Sequence, residues 1–140
     1  MKDFEFSLTL CQKMAQAAEK AAQEQGADVC IAICDRHGNM RYFYRFGDAF
    51  VISIKIAEGK AYTSAVVGQP SGDFGKIAQV GAPAFGININ CPNLVIFGGG
   101  FPLVLNGKTV GGIGVSGGSV EQDEAIAHKM LEVFNKESVA

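Results

Sequence analysis

Apolar residues recur at every third or fourth position between residues 7 and 25, and this spacing predicts an amphipathic helix. Ser7 can cap its start, and Gly26 suits the left-handed position that follows a helix end. The predicted buried face consists mostly of small side chains, which permits close approach to a sheet: Leu8, Cys11, Met14, Ala15, Ala18 and Ala22.

The next part of the chain has the pattern of a β-hairpin. Residues 29–34 form a short apolar run, and residues 35–39 (Asp-Arg-His-Gly-Asn) are typical of a hairpin loop. Residues 40–46 then alternate, which predicts a half-buried antiparallel strand. The residues that would share one face of this strand are Met40, Tyr42, Tyr44 and Phe46.

Residues 49–67 predict a second helix that is apolar nearly all round. Such a helix is buried on more than one side, which in a small domain indicates a subunit interface. Gly68 and Pro70 would end it. A shorter helix is expected over 71–80, and the Gly, Pro and Asn residues of 81–93 indicate a loop.

The last third of the chain predicts three strands and a helix. We expect strands at 94–97, 103–105 and 108–115, with a turn at 98–102 between the first two. Asn106-Gly107 is a strong type I′ hairpin signal. Ser119 and Gln122 form a capping box that starts a final helix from about 120 to 136.

These elements indicate one α+β domain that spans residues 1–140. Hairpin-linked strands imply an antiparallel sheet with helices on its faces. The net charge of −2 and the balance of 12 Lys+Arg against 14 Asp+Glu leave no excess for a basic patch, which argues against a nucleic-acid partner.

No membrane partner is expected, because no apolar stretch reaches the ~18 residues that span a bilayer. The acidic N-terminus is too poor in apolar residues for a signal peptide, and a cytoplasmic location is therefore the expectation.

The four cysteines, Cys11, Cys30, Cys34 and Cys91, form no C-x-x-C pair. We expect buried reduced thiols and neither a disulfide nor a metal site.

Two glycine motifs imitate nucleotide-binding fingerprints. Residues 112–117 match G-x-G-x-x-G, but a dinucleotide fold needs another parallel strand after the next helix, and here the sequence stops. Gly107-Lys108-Thr109 resembles the end of a P-loop, but Pro102 stands where the first glycine is required. Neither fingerprint is satisfied.

The 18 glycines concentrate towards residues 98–118. Gly98-Gly99-Gly100 before Pro102 lets the backbone approach either a ligand or another segment of the chain. The amides of Gly117 and Gly118 precede a helix and could receive an anionic group. Lys60 follows Gly59 in an apolar helix, so it either extends to solvent or has a charged partner nearby.

Four motifs in order resemble the GlcG/HbpS family, which includes the C-terminal domain of PduO-type proteins. They are Ile31-Ala32-Ile33-Cys34-Asp35-x-x-Gly38-x-Met40 followed by Arg45, Ser53-Ile54-x-Ile56-Ala57-x-x-Lys60-Ala61-Tyr62-Thr63, Gly98-Gly99-Gly100-x-Pro102-Leu103-Val104, and residues 110–118 ending at Gln122-Asp123-Glu124. Where the family commonly has Arg-Met-Asp-Gly-Ala, this chain has Arg45-Phe46-Gly47-Asp48-Ala49, which makes Asp48 a natural N-cap for the second helix.

The resemblance implies a profilin-like, five-stranded antiparallel sheet flanked by helices, assembled into a homo-oligomer. It also implies a small-molecule ligand, with haem or a related corrinoid first, and a role accessory to glycolate or diol/glycerol metabolism. An axial ligand to haem iron could come from His37 or His128, although a solvated or packed histidine is the alternative for each. The residues expected to hold the cofactor are Arg45, Lys60, Thr63, Gly98, Gly99, Gly100, Pro102, Ser116, His37 and His128.

Two alternatives remain open from the sequence. The chain could be a structural or accessory oligomer without a cofactor, its apolar second helix serving subunit contacts. It could also be an enzyme that acts on a small organic acid, with Lys60 and the amides of residues 117–119 holding the carboxylate. No catalytic residue is assigned.

Overall fold

The computed structural model describes residues 2–138 and contains five helices and four strands within them. The helices are α1 (Leu8–Gln25), α2 (Ile52–Val67), α3 (Ser71–Ile77), α4 (Ile87–Asn90) and α5 (Val120–Glu137). The strands are β1 (Cys30–Asp35), β2 (Met40–Arg45), β3 (Gly100–Leu105) and β4 (Lys108–Ser116). The α+β class is confirmed. Within residues 2–138, no helix is long and apolar enough to cross a membrane.

The strands form one antiparallel sheet in the order β2-β1-β4-β3. The two hairpins therefore lie side by side, and β1 and β4 form the buried centre. The five-stranded sheet implied by the resemblance is wrong for the described residues, which form four strands. The likeness to profilin stays a prediction.

The predicted fifth strand at 94–97 lies against helices and pairs with no strand of the described part of the chain. The backbone N–H of Val95 donates to the hydroxyl of Thr63 on α2 (2.9 Å). A side chain on Gly59 would collide with Val95, and one on Gly75 of α3 would collide with the carbonyl of Ile96. Two helical glycines thus let this segment cross α2 and α3 at close range, and its backbone bonds to a side chain instead of a sheet.

The two faces of the sheet have different cores. Helices α1 and α5 cover one face with large side chains, among them Met14, Ile31, Ile113, Met130 and Phe134. The fully buried core of the other face, beneath α2, consists of small residues, with the partly buried Phe43 and Ile54 packed against them; the small residues are Cys30, Ala32, Cys34, Ala49, Ala57, Ala61 and Ala65. On that face Gly112 and Gly114 leave no room for a Cβ beside the backbone carbonyls of α2.

Several helix and turn signals are confirmed. Ser7 accepts a hydrogen bond from the amide of Leu10 (3.1 Å), and Gly26 is left-handed with φ 67°. Ser119 and Gln122 form the predicted capping box on α5. Asn106 and Gly107 both have positive φ, as a type I′ turn requires.

Four other local predictions are wrong. Helix α2 begins at Ile52, so Asp48 does not cap it; the amide of Asp48 instead donates to Asp28 (3.1 Å). Helix α3 ends at Ile77. The predicted loop at 81–93 contains the short helix α4, and the predicted turn at 98–102 gives way to β3 from Gly100 onward.

Candidate functional site

A cleft of about 450 Å³ opens between α2 and the loop that joins β1 to β2. Its floor is made by small residues of β1 and α2, and its far wall by residues 92–95. The side chains that give it chemical character are Cys34, His37, Met40, Lys55, Glu58 and Tyr62. The lining is about equally polar and apolar, and a concave site with apolar walls and convergent polar groups is the usual form of a small-molecule site.

His37 lies at the tip of the β1–β2 loop and lines the cleft. Its side chain is about half exposed, and Nε2 is 3.4 Å from Oδ1 of Asp3. The same oxygen of Asp3 accepts a hydrogen bond from Nε of Arg36 (2.6 Å), and this bond lowers the pKa of Asp3. The N-terminal segment therefore contacts the loop beside the cleft and engages one ring nitrogen of His37.

Met40 reaches the cleft because the β1–β2 ladder is irregular. Ile33 pairs with Tyr42, but Cys34 pairs with Met40, so Arg41 is an extra residue in β2. A bulge of this kind re-aims the side chains beyond it. Strict alternation would place Met40 on the face of Tyr42; the bulge turns it to the face of Cys34, towards α2.

Lys55 is the cation at the mouth of the cleft. It lies on α2, its side chain is highly exposed, and its Nζ is 4.0 Å from a carboxylate oxygen of Glu58. A flexible, exposed ammonium of this kind contributes little to stability. An acidic group of a ligand that bound Lys55 would therefore compete with Glu58, which also lines the cleft.

Lys60 does not extend to solvent, and its ammonium is enclosed. Its Nζ donates to the carbonyl of Val115 (2.7 Å) and to Oδ2 of Asp123 (3.1 Å). The two side chains of the ion pair are 3% and 4% exposed. Burial lowers the pKa of Lys60 and raises the pKa of Asp123, while the attraction between them opposes both shifts.

The anion-holding amides expected at residues 117–119 are already engaged by the chain itself. The amide of Gly118 donates to Oδ1 of Asp123 (2.9 Å), and the amide of Ser119 donates to Gln122 (2.9 Å). Asp123 thus occupies the place between Lys60 and Gly118 where a substrate carboxylate was considered. The hypothesis of an enzyme that acts on a small organic acid therefore loses the groups that were expected to bind the carboxylate of the substrate.

The glycine turn surrounds Lys60 and does not line the cleft. A Cβ on Gly99 would lie 2.8 Å from Nζ of Lys60, and the amide of Gly100 donates to Oγ of Ser71 (2.9 Å). The alternative of close approach to another chain segment is therefore the one observed at these two glycines.

The remaining predicted residues lie apart from one another. Thr63 is buried and holds Val95, Ser116 is buried at the end of β4, and Pro102 lies on the edge strand β3. Arg45 lies at the opposite end of β2 from the loop, where its Nε donates to the carbonyl of Ala49 (2.9 Å).

His128 lies on α5, on the face of the sheet opposite α2, with its ring 4.5 Å from that of Phe101. Among the predicted site residues only His37 lines the cleft. Met40, Tyr62 and Lys55 were not predicted as site residues. Tyr62 belongs to the family motif at residues 53–63, and Met40 to the motif at residues 31–40. Membership of these motifs is the sequence signal that could have pointed to them.

Comparison with known proteins supports the resemblance. A family model described as haem degrading protein HbpS-like matches residues 6–132. The chain is 41% identical over 131 residues to an uncharacterized 15.0 kDa protein of Citrobacter freundii, covering 93% of this chain and 92% of that protein. It is 32% identical over 111 residues to protein GlcG of Escherichia coli K12, covering 76% and 81%.

The chain is also similar to part of a larger protein. It is 34% identical over 124 residues to the corrinoid adenosyltransferase PduO of Salmonella typhimurium, covering 88% of this chain but only 37% of PduO. Among solved structures, protein ORFY of Klebsiella pneumoniae has a TM-score of 0.88 and 34% identity, covering 96% of this chain and 97% of that one. A PduOC–haem complex has a TM-score of 0.88 and 32% identity, covering 93% and 95%.

Proposed function

Because the chain belongs to the family of HbpS-like haem-degrading proteins, we propose that it binds haem in the cleft between α2 and the β1–β2 loop. A relative of the same fold was solved as a haem complex, which supports haem over other ligands. The observation that carries the proposal is that the cleft brings together His37 and Met40. Both side chains are of the types that hold haem iron.

The other properties of the cleft fit a haem group. Its volume of about 450 Å³ lies within the usual range of roughly 300–1,000 Å³ for ligand pockets. Ala32, Ile56 and Val95 supply apolar walls for a flat macrocycle. Asp3 engages Nε2 of His37, in the way that carboxylates commonly orient metal-ligating histidines, and this leaves the other ring nitrogen for the iron.

We assign the following roles to the chain's own side chains. His37 would hold the iron, Met40 would supply a second ligand of a suitable type, and Lys55 would pair with a propionate. Tyr62 and the small residues of β1 and α2 would exclude water from the macrocycle. Bound haem would supply one-electron and oxygen chemistry, and the chain would bind and orient it.

Titration of the purified protein with hemin, followed through the Soret band, tests the proposal. His128→Ala is a matched control, because His128 is the other histidine and lies on the opposite face of the sheet. We expect His37→Ala to shift the Soret maximum and to weaken binding by about tenfold or more, and His128→Ala to leave both unchanged. Absence of a Soret shift in the wild type, or equal behaviour of the two variants, would overturn the proposal.

A corrinoid is the alternative tetrapyrrole, supported by the similarity to part of PduO. The same titration with cobalamin, followed by the change in its visible absorption, distinguishes the two. Tighter binding of cobalamin than of hemin would identify a corrinoid as the ligand. That result would favour a role accessory to diol or glycerol metabolism. Tighter binding of hemin supports the first proposal.

Self-association is the second candidate function, and it is compatible with haem binding. Phe50, Val51 and Ile52 are consecutive and each about two-thirds exposed, which is unusual for large apolar side chains. We propose that they contribute to a contact between copies of the chain. Light scattering of the wild type and of Phe50→Ser/Ile52→Ser tests this. A monomeric wild type, or an oligomer that the double substitution leaves intact, would contradict it.

A further inference from the structure

The amides of the β1–β2 loop are bonded to a single residue, Asp35. Its Oδ1 accepts hydrogen bonds from the backbone N–H of His37 (2.9 Å) and of Asn39 (3.1 Å). Its own carbonyl accepts from the N–H of Gly38 (3.0 Å), and its own N–H donates to the carbonyl of Asn39 (3.0 Å). Three successive loop amides therefore depend on Asp35.

The opposite side of the same loop rests on α2. Gly38 has φ 82°, and a Cβ at this position would lie 2.5 Å from the ring of Tyr62. Only glycine allows both this conformation and this approach. The loop that carries His37 is thus held between the carboxylate of Asp35 and the aromatic ring of Tyr62.

The second oxygen of Asp35 faces the bulge in β2. Oδ2 is 3.6 Å from Nη1 of Arg41, the extra residue that turns Met40 towards the cleft. Asp35 itself is 9% exposed, whereas the side chain of Arg41 is 42% exposed. One carboxylate therefore contacts both the loop that presents His37 and the bulge that presents Met40.

We propose that Asp35 is the positioning residue of the haem cleft. Asp35 is not among the residues that line the cleft; it acts by fixing the backbone from which His37 and Met40 extend. Outer groups of this kind commonly change metal affinity by about 10–100-fold when they are removed. This inference rests on the proposed function, because it concerns how His37 and Met40 are presented to haem.

Asp35→Ala and Asp35→Asn separate positioning from charge. Asparagine retains an acceptor oxygen at the same reach, whereas alanine leaves the amides of His37 and Asn39 without a partner. We expect Asp35→Ala to weaken hemin binding by about 10–100-fold and to broaden or shift the Soret band. We expect Asp35→Asn to bind within about threefold of the wild type, because it keeps the acceptor for the loop amides and loses only the contact with the exposed Arg41, which contributes little.

A second measurement works on the protein without haem. Amide hydrogen exchange, read by NMR, reports directly on the loop. In Asp35→Ala the amides of residues 37 and 39 should exchange faster than in the wild type, while those in β4 should not. If Asp35→Ala does not fold, Asp35→Glu takes its place, because it keeps the charge and displaces the acceptor by one methylene.

Asp28→Ala is the matched control at the other end of the hairpin. Its carboxylate also accepts a loop amide, that of Asp48, but it lies away from the cleft. Asp28→Ala should leave hemin binding and the loop amides unchanged. Equal loss of affinity in both alanine variants would assign Asp35 a merely structural role and overturn the inference.

The two proposals fail in different ways. If the wild type binds hemin and His37→Ala does not, but Asp35→Ala binds like the wild type, the positioning role is wrong and the haem site stands. If His37→Ala binds like the wild type, the haem site is wrong. Rapid exchange at residues 37 and 39 only in Asp35→Ala would still support control of the loop by Asp35, and unchanged exchange would contradict it.

Discussion

Lys60 of α2 and Asp123 of α5 form a buried ion pair, with Nζ and Oδ2 3.1 Å apart. The pair joins the helices of opposite faces at the end of β4, where Lys60 also binds the carbonyl of Val115. The remaining oxygen of Asp123 caps the amide of Gly118. The contact is thus a connection between the two layers that flank the sheet.

Removal of one partner of this pair should be costly, because it leaves the other charge buried and unpaired. We expect Lys60→Met to lower the free energy of unfolding by about 3–5 kcal/mol, measured by urea denaturation. The double variant Lys60→Met/Asp123→Asn should recover most of this loss, since asparagine can still accept the bond from Gly118. Additive losses in the double variant would show that the two charges do not interact.

The four cysteines should differ sharply in reactivity. Cys91 is exposed, whereas Cys11, Cys30 and Cys34 are buried. Burial raises the pKa of Cys34 to about 12, so almost no thiolate is present there at pH 8. We expect Ellman's reagent to titrate one thiol rapidly in the native protein and four in guanidinium.

Cys91→Ser provides the control for that titration. It should abolish the rapid phase and leave three thiols that react only after unfolding. Rapid reaction of a second thiol in the native protein would contradict the burial of the other three cysteines. The expectation that all four thiols are buried is wrong only for Cys91.

The contact between Asp3 and Arg36 should disappear in acid. The hydrogen bond that Arg36 donates to the carboxylate of Asp3 holds the pKa of Asp3 below the usual 3.8. A carboxyl group with a lowered pKa in the folded state stabilises that state fully above pH 3.8, and the contribution is lost as the pH falls through the lowered value. Carboxyl NMR shifts followed between pH 2 and 6 should therefore give Asp3 a midpoint below 3.8, and Arg36→Ala should raise it. An equal midpoint in both proteins would mean that the bond does not form in solution.

Gly75 and Gly72 on α3 form a matched pair for the crossing of residues 94–98. A methyl group at Gly75 would collide with the backbone carbonyl of Ile96, whereas one at Gly72 would meet the Cα of Gly98 at 3.1 Å. We expect Gly75→Ala to destabilise the protein by about 1–3 kcal/mol through overpacking. Gly72→Ala should be nearly neutral, because the better helix propensity of alanine offsets the tighter contact. Thermal or urea unfolding of both variants measures the difference, and equal midpoints would contradict the close crossing.

Local signals in the sequence predicted most of the helices and both hairpins. Ser7, Gly26, Asn106-Gly107 and the capping box of Ser119 act over a few residues, so their effects do not depend on the rest of the fold. The apolar run at 94–97 satisfies a strand pattern equally well, but its partners are Thr63 and the glycines of two helices. Those contacts are set by tertiary structure and have no local signature.

The site was harder to predict than the fold for a related reason. His37 stood out as one of two histidines, but the sequence offers no means to separate it from His128, which lies across the sheet. Simple alternation along β2 predicts Met40 on the same face as Tyr42. The bulge that turns it towards Cys34 adds Arg41 to β2, and the spacing of apolar residues does not reveal this extra residue.

The contrast between the two faces of the sheet determines which amino-acid substitutions each face can tolerate. Beneath α1 and α5, large side chains such as Met14, Ile31 and Phe134 pack together with alanines, so exchanges that keep the total volume can be absorbed there. Beneath α2, glycine and alanine are already the smallest residues available, and any enlargement must push the helix outward. Because α2 also forms a wall of the cleft, variation on that face would change the width of the cleft as well as stability.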